Sequence, residues 1–308
     1  MTHILSVQNV VKTFGSVRAV DGVSFNVRRG TITGLLGRNG AGKTTTIRMI
    51  TGIFMPDTGD IEWSGTTNEG RLFRDHIGYL PEERGLYKQM KVVELLLFLA
   101  EIKGRAGADV RKSIDRWLER FELTEKRDAK VEELSKGNQQ KVQLIGTLLH
   151  DPDLIILDEP QSGLDPVNMV LVRNLLRDLK AEGKTILLST HMMAEAERMA
   201  DEIVLIHRGR VVLEGAIDEV RSSFGKNMLK MEFDGDGSFL SELPEVRQAV
   251  IVNNVAELSL HEGADSQKVL QASMGRLRIR RFEQALPSLE EIFIEKVGAE
   301  TLTQEVAR

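Results

Sequence analysis

Cysteine is absent from the 308 residues, which excludes disulfides, thiolate metal sites and thiol nucleophiles. The lack fits a reducing compartment without requiring one. Charge of one sign is also scarce. With 41 Lys and Arg against 46 Asp and Glu, the net charge of −5 offers no general attraction for phosphate backbones or anionic lipid, so no nucleic-acid partner is expected. Long hydrophobic runs are missing too: the longest, Val92 to Ile102, is interrupted by Glu94 and Glu101 and is too short to span a bilayer. Residues 1–9 lack a basic stretch followed by an apolar one, so no secretory leader is expected. The expected location is the cytoplasm, with any membrane contact made through a partner. No internal repeat or low-complexity segment occurs, and His3, His76, His150, His207 and His261 show no metal-ligand spacing.

What is present is an ordinary globular balance, 41% hydrophobic and 28% charged, on a length that suits one large and one small domain. The opening reads as strands at Ile4 to Val10 and Val17 to Val27, the second broken by Asp21-Gly22, with Gly15 at a turn. Thr31 to Leu36 fits a buried strand, and Thr44 to Gly52 fits a helix stopped by Gly52 and Pro56. A helical region spans about 88–150, where Val92, Leu95, Leu96 and Leu99, and then Ile114, Trp117, Leu118 and Phe121, recur at helical spacing. Leu154 to Leu157, Thr185 to Ser189 and Ile203 to His207 are continuous apolar runs separated by helices, the pattern of a mostly parallel sheet covered on both faces. Near Ser222-Ser223-Phe224-Gly225 the pattern changes. The segments Met228 to Phe233, Phe239 to Leu243, Val246 to Val252, Val255 to His261, Ser266 to Met274, Leu277 to Phe282 and Leu289 to Val297 then read β-α-β-β-α-β-α, whose first six elements suggest a ferredoxin-like module. The expected fold is α/β over 1–222 with a small α+β domain over 225–308. The basic run Arg276 to Arg281 alternates with Leu277 and Ile279, which suits a half-exposed strand rather than a nucleic-acid patch.

Gly37-Arg38-Asn39-Gly40-Ala41-Gly42-Lys43-Thr44 fits G-x-x-x-x-G-K-[ST] between a strand and a helix. In such a loop the glycines let backbone N–H groups turn inward around phosphates, the lysine reaches the β- and γ-phosphates, and the Thr44 hydroxyl can ligate Mg²⁺. The helix that begins here adds its positive end. Gly37, Asn39, Gly40, Ala41, Gly42, Lys43, Thr44 and Thr45 are therefore the expected ATP contacts. A phosphate loop also needs a carboxylate for the metal and a group to activate water. Leu154-Ile155-Ile156-Leu157-Asp158-Glu159 offers both at the end of a buried strand, Asp158 for Mg²⁺, directly or through water, and Glu159 as general base or water-orienter. Ser135 opens a helical pattern from Gln139 to Leu149, so its hydroxyl suits an N-cap. With Gly137 it forms a second helix-start surface that can take a phosphate.

Taken in order, Gly37 to Thr44, Leu134-Ser135-Lys136-Gly137-Asn138, Leu154 to Glu159, Ser162-Gly163-Leu164-Asp165 and Ser189-Thr190-His191 resemble the nucleotide-binding subunits of ATP-binding cassette (ABC) transporters over about residues 3–220. The Ser135 segment discriminates, because other phosphate-loop ATPases lack it. The resemblance implies two ATP sandwiched in a head-to-tail dimer, each between the Lys43 loop of one copy and Ser135 and Gly137 of the other. It implies that His191 contacts the γ-phosphate, that Asp165 joins the two sites, and that Phe14 stacks on adenine. Two departures stand out: the signature reads Ser-Lys-Gly-Asn, and the family's Q-loop glutamine is Glu82, a carboxylate expected near the metal and the membrane partner.

Ile77 to Tyr87 and Leu289-Glu290-Glu291-Ile292-Phe293 look like one branch of that family, the stand-alone ATPases of bacterial ABC-2-type exporters, similar to the sodium-extrusion group. That resemblance implies a separately encoded multi-span permease as partner, peripheral attachment to the inner face of the cell membrane, and export. A soluble ABC ATPase acting outside transport is the alternative; repair and translation members usually carry coiled-coil insertions or two cassettes, and this chain has neither. Substrate identity is not encoded here.

Overall fold

The computed structural model describes residues 3–63, 66–67, 76–83, 85–224, 228–261 and 263–306; Arg84, within the stretch Ile77 to Tyr87, and Gly225 lie outside them. The chain divides into two compact units at Ala216/Ile217.

In the first unit, β1 (His3–Phe14), β2 (Val17–Arg28), β4 (Thr58–Trp63) and β5 (Thr66–Thr67) form an antiparallel sheet in the order β2-β1-β4-β5. A second sheet runs β10-β9-β3-β8-β7-β6, built from β3 (Ile32–Leu36), β6 (Ile77–Leu80), β7 (Leu154–Asp158), β8 (Thr185–Thr190), β9 (Glu202–His207) and β10 (Arg210–Ala216). Its pairings are parallel except for β9 with β10. Strand periodicity explains why the central strands are apolar throughout. Leu154 and Ile156 point to one core, shared with α1 (Lys43–Ile50) and the antiparallel sheet. Ile155 and Leu157 point to the other, beneath α2 (Val92–Ile102), α3 (Ala108–Arg120), α4 (Lys136–Leu148) and α5 (Pro166–Ala181). A strand covered on both faces has no polar side.

The sequence places a break at Asp21-Gly22, but β2 runs through it. Val10 pairs with Val23 and Val11 with Asp21, so Gly22 is the extra residue of a bulge, at φ +72°. A Gly beside a short polar residue marks a turn and a bulge alike; only the partner strand distinguishes them. β10 is absent from the sequence reading because it is an edge strand without a fully buried residue.

The second unit comprises α7 (Ile217–Ser223), β11 (Met228–Asp234), a 3-10 turn (Ser238–Glu242), β12 (Val246–Val252), β13 (Val255–Leu260), α8 (Ser266–Ser273), β14 (Arg278–Ala285) and α9 (Leu289–Val306); α6 (Met193–Met199) belongs to the first. Its sheet is antiparallel in the order β12-β13-β11-β14. β11 and β13 alternate buried and half-buried residues, so one face packs on Leu240 and Val269 and the other is wet. Where a first helix is expected there is one 3-10 turn, because Pro244 stops any helix at Leu243. α7 groups with this unit rather than with the first, since Arg221 donates to the Leu286 and Pro287 carbonyls. That moves the division upstream of the expected 222/225.

Phe121 is fully buried at the end of α3. Phe121→Ala is expected to destabilise the first unit by about 3–5 kcal/mol, read as a shift of that unit's transition in urea.

Candidate functional site

The loop from β3 to α1 is shaped by what its neighbours exclude. A Cβ on Gly37 would lie 2.3 Å from the Ile206 carbonyl oxygen, and one on Gly42 2.6 Å from that of Ala19. Both glycines also hold positive φ, +154° and +109°, so the sequence needs Gly there twice over. Gly42 caps α1 without a side chain, which leaves the N–H groups of the first turn to an anion. The Lys43 side chain is buried and curls back on its own loop, donating to the carbonyls of Gly37 at 2.8 Å and Arg38 at 3.4 Å. Arg38, Asn39 and Gly40 form the exposed crest, Ala41 is buried, and Thr45 is half-buried in the first turn of α1.

β7 delivers Asp158 and Glu159 beside this loop. Asp158 is fully buried, and burial raises its carboxyl above the usual range against the opposing hydrogen bonds. Ser189 Oγ and Thr44 Oγ1, the latter at 3.3 Å, both donate to its Oδ1. Its Oδ2 has no partner among the described residues. Glu159 stands at φ +50°, with its N–H donating to the carbonyl oxygen and hydroxyl of Ser189. Its carboxylate bridges two loops, with Oε1 3.5 Å from Lys43 Nζ and Oε2 3.0 Å from His191 Nδ1. Five expected site residues therefore meet at the carboxyl ends of β3, β7 and β8: Lys43, Thr44, Asp158, Glu159 and His191. Ser189 joins them as a residue sequence reasoning missed as a site member; its signal is only that it pairs with Asp158 across parallel strands.

Glu82 lies past β6, whose Leu80 pairs with Leu157, so it emerges on the same sheet edge as Asp158 but exposed. Burial pushes the Tyr79 phenol up to about 12, with the Asp158 and Glu82 charges adding to the rise. Phe14 is 43% exposed at the end of β1, edge-on to Phe54 at 5.4 Å. Ser135 caps α4, accepting from the Asn138 N–H at 3.2 Å, and Gly137 sits beside Leu164 and Asn168. Asp165 caps α5 in the same way, and the Asn168 N–H it accepts helps hold its carboxyl below the usual range. Among the described residues no helix is long and apolar enough to cross a membrane.

Comparison with known proteins places this arrangement. A family model described as "ABC transporter" matches residues 20–162, and one for the C-terminal domain of DrrA1-3-like ATP-binding proteins matches residues 215–297. The chain is 43% identical over 296 residues to an uncharacterized ABC transporter ATP-binding protein of Bacillus subtilis (strain 168), spanning 96% of this chain and 99% of that protein. The chain belongs to the ATP-binding subunits of ABC transporters. This ABC subunit is also 36% identical over 299 residues to a Nod factor export ATP-binding protein I of Rhizobium sp. (strain N33), with 96% and 97% of the two chains covered. A solved ATP-binding subunit of an ABC transporter superposes with a TM-score of 0.67 at 34% identity, over 72% of this chain and 93% of that one. Proteins of this kind are ATPases whose hydrolysis is coupled to transport, which accords with the meeting of Lys43 and Glu159.

Gly42→Ala is expected to weaken ATP binding about fivefold or more, since relieving the clash and the backbone strain costs on the order of 1–3 kcal/mol. Titration with a fluorescent ATP analogue measures it, with circular dichroism confirming the fold.

Proposed function

We propose that this subunit powers an ABC-2-type exporter through ATP-driven closure of a head-to-tail dimer. Its location would be the cytoplasmic face of the membrane, held by a separately encoded multi-span permease. The observation that carries the catalytic part is the run Lys43–Glu159–His191 at the ends of three parallel strands. Support for the exporter branch comes from the match of residues 215–297 and from relatives named for Nod factor export. The first unit, ending at Ala216, acts as the cassette and the C-terminal unit as its accessory.

The residues fit Mg·ATP on two counts: Gly37 and Gly42, packed against backbone carbonyls that exclude any Cβ, hold the loop at a helix start capped by no side chain, and Asp158 keeps a buried oxygen free. Thr44 and Asp158 would hold Mg²⁺, which when bound supplies positive charge against the β- and γ-phosphates. Lys43 leaves its own carbonyls to bind phosphate oxygens. Glu159, freed from Lys43, takes the proton of the attacking water, while His191 keeps its carboxylate aimed and contacts the γ-phosphate. Products are ADP and inorganic phosphate. Phe14 stacks on the adenine, and Ser135 and Gly137 face the nucleotide of the second copy, next to Asp165. Glu82 stands toward the metal and the permease.

Glu159→Gln is expected to bind ATP, to hydrolyse it about a hundredfold more slowly or worse, and to form an ATP-dependent dimer on gel filtration. Normal turnover would remove Glu159 as the base, and purification without any membrane protein from native membranes would favour a non-transport role. Glu82→Gln is expected to change the ATPase rate or its Mg²⁺ dependence; if both stay at the parent values, Glu82 has no place at the metal.

A further inference from the structure

Away from the nucleotide loop, one carboxylate is buried without being part of the chemistry. Glu195, in the first turn of α6, accepts from Arg173 Nη2 at 2.7 Å, from Arg198 Nη1 at 2.9 Å and, in a long contact, from Gln161 Nε2 at 3.5 Å. Arg198 is largely exposed, so its contribution is small. Arg173 on α5 and Gln161 are shielded from water, and there the charge of Glu195 demands a partner. A buried ion pair contributes little net stability over an apolar pair of the same shape, which leaves its geometry as the property to explain.

Each member shares a loop or helix with a residue of the site. Gln161 is two residues past Glu159, Glu195 is four past His191, and Arg173 is on the helix that Asp165 caps. The loop between Glu159 and Leu164 is held from the other side as well, since Gln140 on α4, the helix capped by Ser135, donates to the Pro160 carbonyl at 3.3 Å. Glu159 itself has φ +50°, a conformation a non-glycine residue keeps only when its surroundings fix it. Its aim at water therefore depends on what pins the residues just after it.

We propose that Glu195, through Arg173 and Gln161, is a positioning residue for hydrolysis. It locks the loops of Glu159, His191 and Asp165 into one register without touching nucleotide. The same side chain links each chain's base to the loop that faces the second copy, so the inference rests on the dimer reading only for that link and on local geometry for the rest.

Two variants of the full-length chain test it in steady-state ATPase assays and thermal melts. Glu195→Ala is expected to lower kcat about tenfold or more with KM for ATP within about twofold, because small displacements of a catalytic group cost rate rather than affinity. It also leaves Arg173 without its partner, so Tm should fall. The paired variant Arg173→Met with Glu195→Leu replaces the ion pair by apolar volume and should regain Tm while kcat stays low. Recovery of kcat together with Tm in the paired variant would make Glu195 merely structural and overturn the proposal, as would a rise in KM at unchanged kcat. Wild-type turnover measured alongside reports on the ATPase reading separately.

Discussion

An acidic side chain buried at the end of a parallel strand is the constraint around which this site is built. Asp158 has no solvent of its own, and a carboxylate removed from water must be met by donors or lose its charge. Ser189 and Thr44 meet one oxygen only. Those two donors come from β8 and from the start of α1, so satisfying Asp158 brings the phosphate loop, β7 and β8 to one place. The apolar residues that precede it, Leu154 to Leu157, are buried on both faces and hold that end of the strand still. The other oxygen has no partner among the described residues, and it is the one we propose for the cation.

Lys43 shows the complementary state of the same site. Its ammonium is satisfied by two loop carbonyls and by Glu159, so a buried cation has partners before any nucleotide arrives. Phosphate oxygens are better partners for an ammonium than neutral carbonyls, because charge-assisted bonds are stronger. Exchange of one set for the other is therefore favourable, and under the proposed mechanism it releases Glu159 to act on water. Ser135 is already engaged as a helix cap and Gly137 adjoins Leu164 and Asn168, so that surface is formed by its own helix and not by the Lys43 loop.

Much of this was legible in the chain because the signals are local. Gly37 to Lys43 are read from spacing, and the structure adds the reason: two of the glycines have a carbonyl within 2.6 Å of where a Cβ would be. The apolar runs ending in Asp158 and His207 announce buried strands. What failed to show were features defined by a partner strand or a distant helix. Asp21-Gly22 looks like a turn until Val10 and Val11 are found opposite Val23 and Asp21. Ser189 is an ordinary serine until it pairs with Asp158. Arg173, Gln161 and Glu195 carry no motif, and their ion pair exists only because α5 and α6 lie side by side.

By itself the sequence determined that a phosphate loop, an acidic strand end and a capped helix start occur in a set order, since each depends on residues within a few positions of one another. Only the tertiary structure decided which of these meet. Parallel pairing of β3, β8 and β7 aligns the end of β3 with strand ends more than a hundred residues further along the chain, and that alignment sets the distances from Lys43 and His191 to Glu159. The phosphate loop is thus a local property of the chain, whereas the hydrolytic site is a property of the sheet.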